Sequence, residues 1–123
     1  MKSVLLIDDN EMFRFILSEW LKAEGFHPIM AEDGVEGVQM AKSHYPDLIL
    51  CDVNMPTING IEVLKQLRND LGTSHIPFFF LTSEVSINST IMQRLGATGV
   101  ILKDARIDEL RRVLTTLEAK ELM

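Results

Sequence analysis

The sequence predicts a doubly wound α/β domain built on a five-stranded parallel sheet, and three observations carry that reading. Short apolar runs without polar alternation recur along the chain, as expected of strands covered on both faces. Segments with apolar residues at helical spacing lie between them. The connections are short, and no repeat, linker or low-complexity tract interrupts the alternation.

Val4-Leu5-Leu6-Ile7 is the first apolar run. Asp8-Asp9-Asn10 ends it, and Asn10 is placed to cap a helix. In that helix Phe13, Ile16, Leu17, Trp20 and Leu21 share one apolar face, and Gly25 supplies a C-terminal stop. A second strand covers His27 to Ala31. Asp33-Gly34-Val35-Glu36 then has capping-box spacing, opening a helix that runs to about Ser43 before Pro46 stops it.

The third strand runs from Asp47 to Asp52, followed by a loop holding Pro56. Asn59-Gly60-Ile61-Glu62 repeats the capping pattern, and Ile61, Leu64 and Leu67 are expected to face the core. Gly72 to His75 is a loop. Pro77 opens a fourth strand, Phe78 to Leu81, which ends on Thr82-Ser83. The next helix, about Val85 to Leu95, is the weakest, because Ser86, Asn88, Ser89 and Thr90 are poor helix formers. Gly96-Ala97 leads into a fifth strand, Gly99 to Leu102, ending at Lys103. The last helix, about Arg106 to Lys120, turns Ile107, Leu110, Val113, Leu114 and Leu117 inward. The expected strand order is 2-1-3-4-5, the flavodoxin-like arrangement.

Bulk properties narrow the function. The chain of 123 residues suffices for one domain with a real core, expected to occupy 1–123 and to leave no room for an output domain. A net charge of −6 without a Lys/Arg run argues against direct nucleic-acid binding, which needs concentrated positive charge. No apolar run approaches the roughly 20 residues that span a bilayer. Val4 to Ile7 is too short for a signal-peptide core, so a cytoplasmic location without membrane contact is expected. Cys51 is the only cysteine and reads as a buried strand residue, with Asp52 beside it disfavouring a thiolate.

Chemistry in a parallel α/β sheet sits just beyond the carboxyl ends of the strands. There the sequence has Asp8 and Asp9, then Asp52, then Thr82 and Ser83, then Lys103. In the expected strand order these groups converge on one rim. Clustered carboxylates repel unless a cation or protons compensate, and an all-oxygen donor set suits Mg²⁺. With a lysine and a hydroxyl beside it, the rim describes a phosphoryl site, with Asp52 as a carboxylate nucleophile. Singly, each residue has a plainer role as a helix cap, a strand end or a surface charge. The four strand ends together are far more specific.

These motifs resemble the receiver domain of two-component response regulators, of the chemotaxis-regulator type, over the whole chain. The resemblance is carried by the acidic pair in LLIDDN, the segment LILCDVNMPTINGIEVL, the Thr82-Ser83 strand end and the lysine in VILKD. It implies that Asp52 accepts a phosphoryl group from a phosphohistidine on a sensor kinase or phosphotransfer protein. It implies Mg²⁺ bound by Asp9, Asp52 and the backbone carbonyl of Asn54, with Asp8 acting through a water. Lys103 would pair with the phosphoryl oxygens, and Thr82 would swing in to hydrogen-bond them, moving the loop that follows. Asn54 and Glu84 stand at the positions that tune hydrolysis of the acyl phosphate in the family. The module would be a phosphoacceptor with autodephosphorylation chemistry rather than a turnover enzyme. Its output would be a downstream target protein or a fused output domain.

Two departures stand out. Val100 occupies the position of the family's switch aromatic, and Asp104 stands where a proline joined by a cis bond usually follows the lysine. Because a non-proline cis bond costs about 2.5–4 kcal/mol, a trans Lys103–Asp104 bond is expected. Asp104 is alternatively a cap for the last helix. Both departures favour a second reading, a receiver-fold interaction module that works without phosphorylation. The intact Asp8, Asp9, Asp52, Thr82 and Lys103 oppose it. An aspartyl-phosphate phosphatase is opposed by Asn54, where such enzymes place a second Asp. His27, His44 and His75 lie outside the rim, without metal-ligand spacing. Met92, Val100 and Ile107 are either core residues or part of an apolar surface for weak homodimerisation through the last two helices and fifth strand.

Overall fold

The computed structural model describes residues 1–84, 86–103 and 107–122 of the chain. Ten elements alternate: β1 (Ser3–Ile7), α1 (Glu11–Ala23), β2 (His27–Ala31), α2 (Gly34–His44), β3 (Leu48–Cys51), α3 (Gly60–Arg68), β4 (Phe78–Thr82), α4 (Ser89–Arg94), β5 (Gly99–Leu102) and α5 (Ile107–Leu122). The strands form one parallel sheet in the order β2-β1-β3-β4-β5. The expected fold and strand order are therefore both observed.

The pleat explains why the strand sequences are continuously apolar. Val4 and Leu6 join Leu17, Leu21, Leu110 and Leu114 in a core under α1 and α5. Leu5 and Ile7, pointing the other way, join Val38, Leu64 and Met92 in a core under α2, α3 and α4. β1 and β3, covered on both faces, thus need apolar residues at successive positions, whereas the edge strand β2 leaves His27 and Met30 exposed.

Caps set the helix starts. Asn10 Oδ1 accepts the Phe13 N–H at 3.0 Å, Asp33 Oδ1 the Glu36 N–H at 2.8 Å, and Asn59 Oδ1 the Glu62 N–H at 3.0 Å. Gly25 takes φ +92° after α1 and Gly96 φ +116° before β5, the left-handed region that favours glycine. α4 is shorter than its composition suggested. Asn88 Oδ1 accepts the Ile91 N–H at 3.0 Å, so the helix starts at Ser89 rather than near Val85. Val85 itself lies outside the described residues.

Helix α1 departs from expectation at one position. Leu17 and Leu21 are buried and Phe13 and Trp20 pack against them, but Ile16 is 58 % exposed. It stands about 100° round the helix from Leu17. Buried Ser18, on the other flank of Leu17, joins the inward face instead; its hydroxyl donates to the Phe15 carbonyl at 2.8 Å. In α3 Leu64 and Leu67 are buried as expected, with Val63 beside them and Ile61 half-buried. In α5 Leu110, Leu114 and Leu117 are buried and Val113 packs against them. The side chain of Ile107 lies outside what is described.

Candidate functional site

Three backbone hydrogen bonds continue the sheet one residue beyond its strands. Asp8 N–H donates to the Ala31 carbonyl at 3.2 Å, Asp52 N–H to Ile7 at 2.9 Å and Lys103 N–H to Thr82 at 2.8 Å. The parallel ladder therefore delivers these side chains to one rim by the same register that pairs Ile7 with Cys51 and Thr82 with Leu102. Ligand oxygens of Asp8, Asp9 and Asp52 all lie within 4.8 Å of one another. Asp8 is buried, Asp52 half-buried and Asp9 exposed, a gradient from sheet to solvent.

Lys103 is the counter-charge. Its Nζ stands 2.7 Å from Asp8 Oδ2 and 3.4 Å from Asp52 Oδ2. Asp8 Oδ1 accepts the Asn10 N–H at 2.8 Å, and Asp52 Oδ1 accepts the Val53 N–H at 2.8 Å. Burial holds the Asp52 carboxyl above its ordinary value; Lys103 pulls it down, and the Asp8 charge adds a further push upward. Burial likewise pushes the Cys51 thiol up, with Asp52 adding to it, so Cys51 is the inert strand residue the sequence suggested.

Of the remaining predicted residues, Thr82 ends β4, Val100 lies within β5, and Asn54, Ser83 and Glu84 sit on the loops after β3 and β4. Thr82 is buried and its hydroxyl accepts the Glu84 N–H at 3.1 Å, whereas Ser83 is exposed. The Asn54 side-chain amide donates to Glu84 Oε1, joining the loop after β3 to the loop after β4. Val100 lies opposite Phe80 in the sheet and packs against the core with Met92. Met92 is buried and Val100 is half-buried, as the core alternative expects. Asp104, and with it the expected trans bond and the capping role, lies outside the described residues. The three histidines are exposed and outside the rim, and the acidic trio is the metal-competent cluster among the described residues.

Sequence reasoning missed three contributors. Arg14 Nη1 donates to the Asp8 carbonyl at 2.6 Å, tying α1 to the end of β1. Phe13, expected only to pack, has its ring centroid 4.4 Å from Lys103 Nζ. Gly60 lies against the backbone of Asp52: a Cβ there would collide with the Asp52 carbonyl oxygen and meet the Phe80 ring at 3.0 Å. The only available signal was position, since Phe13 and Arg14 lie one turn after the acidic pair.

The donor set fits a hard divalent cation. Its clustered side chains are all carboxylates, and the buried Asp8 Oδ2 has no hydrogen-bond partner, only the Lys103 charge beside it. A doubly wound sheet with an acidic rim and a lysine beside it has the parts of a phosphoryl site.

Comparison with known proteins makes this specific. Residues 4–115 match the family model of the response regulator receiver domain. The polar-differentiation response regulator DivK of Brucella ovis is 37 % identical over 82 residues, 67 % of each chain. The chemotaxis protein CheY4 of Vibrio cholerae superposes with a TM-score of 0.86 at 31 % identity, over 95 % of this chain and 98 % of that one. The response regulator TrrA of Thermotoga maritima, crystallised in complex with Mg²⁺-BeF, gives 0.85 at 30 % identity, over 95 % and 99 %. The chain belongs to the response regulator receiver domain family. Kinases and phosphotransfer proteins are the partners such a domain implies. Among the described residues, no helix is long and apolar enough to cross a membrane.

Proposed function

We propose that Asp52 accepts a phosphoryl group from a phosphohistidine of a sensor kinase or phosphotransfer protein, and that the acyl phosphate switches a partner-binding surface. The observation that carries this reading is the position of Asp52: at the carboxyl end of β3, in the acidic cluster and 3.4 Å from the Lys103 ammonium. An Asp52 oxygen attacks phosphorus in line, the bond from phosphorus to the imidazole nitrogen breaks, and the imidazole leaves to take up a proton. Asp9, Asp52 and the Asn54 carbonyl would hold Mg²⁺, with Asp8 acting through a water. The ion would neutralise charge on the phosphoryl oxygens. Lys103 moves from the carboxylates to a phosphoryl oxygen. Thr82 gives up the Glu84 N–H and donates its hydroxyl to the phosphoryl group, which draws in the loop carrying Ser83 and Glu84. The Asn54–Glu84 contact joins the loop after β3 to the loop after β4 and would have to yield as that loop moves.

The test is intact mass after incubation with phosphoramidate or acetyl phosphate, with and without Mg²⁺, beside Asp52→Asn. One Mg²⁺-dependent adduct, absent from the variant, is expected. Folded protein that takes no phosphoryl group from either donor would overturn the reading and leave the phosphorylation-independent module, which the core packing of Val100 favours.

A further inference from the structure

We propose that Phe13 is a positioning residue for Lys103, its ring face holding the ammonium at the rim where the Asp52 phosphoryl group forms; the inference rests on the phosphoacceptor reading of Asp52. Lys103 Nζ stands 4.4 Å from the ring centroid, inside the roughly 6 Å range of cation–π attraction. The lysine side chain is only 16 % exposed, so little water screens that attraction. Lys103 lines an apolar cleft together with Phe13, Leu17, Leu81 and Leu110. The backbone that carries the ring is pinned in turn, because the Phe13 N–H donates to the capping Asn10 Oδ1 at 3.0 Å.

The need for such a partner follows from the lysine's other contacts. Both are carboxylates, Asp8 and Asp52, and both belong to the acidic cluster. A cation bound there competes with Lys103 for the two carboxylates that hold it. A long, flexible stem would then let the ammonium leave for solvent. The Phe13 ring has no charge to be neutralised and no lone pair to offer a metal. Its attraction therefore persists in the loaded site, when Lys103 must meet the phosphoryl oxygens. An aliphatic side chain of similar size would fill the cleft but not supply this attraction, which separates positioning from packing.

The test varies ring charge at nearly constant shape, with 4-fluoro-, 3,5-difluoro- and 3,4,5-trifluorophenylalanine placed site-specifically at position 13, beside Phe13→Leu and Phe13→Trp. Adduct formation from phosphoramidate with Mg²⁺ should slow progressively, reaching about 3- to 10-fold with the trifluoro ring and Phe13→Leu, and recover in Phe13→Trp. A second readout needs neither donor nor metal. The Lys103 ε-methylene signal, assigned by its loss in Lys103→Met, should be shifted upfield by the ring and move back along the fluorinated series. Rates independent of fluorination, in a wild-type chain that is labelled, overturn the inference. A wild-type chain that takes no phosphoryl group sinks the phosphoacceptor reading instead. In that case an unshifted ε-methylene signal overturns the holding of Lys103 by Phe13 as well, and a shift that fades with fluorination upholds it.

Discussion

Lys103 Nζ stands 2.7 Å from the buried Asp8 Oδ2, closer than to the Asp52 carboxylate at 3.4 Å. The ammonium is therefore held mainly by the carboxylate with no other partner on that oxygen. Removing the lysine leaves a buried, uncompensated charge. Lys103→Met should lower unfolding stability at neutral pH by about 1–3 kcal/mol in urea titrations. Added Mg²⁺ should return more stability to the variant than to the wild type, because the ion then supplies the missing positive charge. A variant as stable as the wild type without Mg²⁺ would show that the Lys103–Asp8 pair carries no net stabilisation.

The sign of the pH dependence follows from Asp52. Burial is the largest influence and raises its pKa in the folded chain above the ordinary carboxylate value of about 3.9. The folded state thus binds this proton more tightly than the unfolded state. That stabilising contribution is fully present below the unfolded pKa and is lost as pH rises through the folded one. At pH 7 the ionised Asp52 is a cost to folding. Asp52→Asn should melt at a higher temperature than the wild type at pH 7, and the gap should narrow toward pH 4. A constant gap across that range would assign the effect to packing instead of charge.

The legible parts of this protein were those governed by local rules. The apolar runs of β1, β3 and β5 stop where those strands stop, so Asp8, Asp52 and Lys103 could be placed at the rim from sequence alone. The caps at Asn10, Asp33 and Asn59 are likewise local, set by a side chain and an amide three residues on. What stayed hidden depends on packing between distant segments. The Phe13–Lys103 contact joins α1 to the end of β5, and Gly60 matters because α3 starts against the Asp52 backbone. Neither leaves a periodic trace. The Asn88 cap was overlooked because the same polar residues that weaken a helix interior also serve as caps.

Ile16 shows how periodicity misleads at the edge of a helix face, and the error is measurable. Leu17 is 5 % exposed and Ile16 is 58 % exposed, although both are large aliphatics one residue apart. Leu17→Ala should cost about 2–5 kcal/mol through the cavity it leaves. Ile16→Ala should fall within about 0.5 kcal/mol, apart from a small helix-propensity gain. Equal losses in denaturant unfolding would mean that Ile16 is covered in solution.

Gly60 couples the acceptor to the helix behind it. Its N–H donates to the Val53 carbonyl at 2.7 Å, and its Cα faces the Asp52 carbonyl too closely for any side chain. Gly60→Ala must push the Asp52 backbone away or shift the start of α3, at about 1–3 kcal/mol of overpacking. Because Asp52 moves with that backbone, phosphoramidate labelling should slow as well. Stability lost with an unchanged labelling rate would show that α3 yields and the rim does not.

Thr57 offers the opposite case, a position where stability can be gained. It lies in the loop between Asp52 and α3 with φ +72°, where a β-branched side chain crowds its own backbone. The Ile58 N–H donates to the Pro56 carbonyl at 2.9 Å across this residue, so the tight turn holds the strained angle in place. Glycine adopts that angle freely, though it also gives the unfolded chain more freedom, and the two effects oppose each other. Strain of about 1–3 kcal/mol exceeds the entropy term of about 0.4–1 kcal/mol, so Thr57→Gly should raise stability by roughly 1 kcal/mol. Thermal unfolding of Thr57→Gly beside Thr57→Ala separates the terms. Alanine relieves the β-branch but keeps a Cβ at positive φ, and it should recover only part of the gain. An alanine variant at least as stable as the glycine variant would place the penalty in the threonine's branching, not in the left-handed backbone.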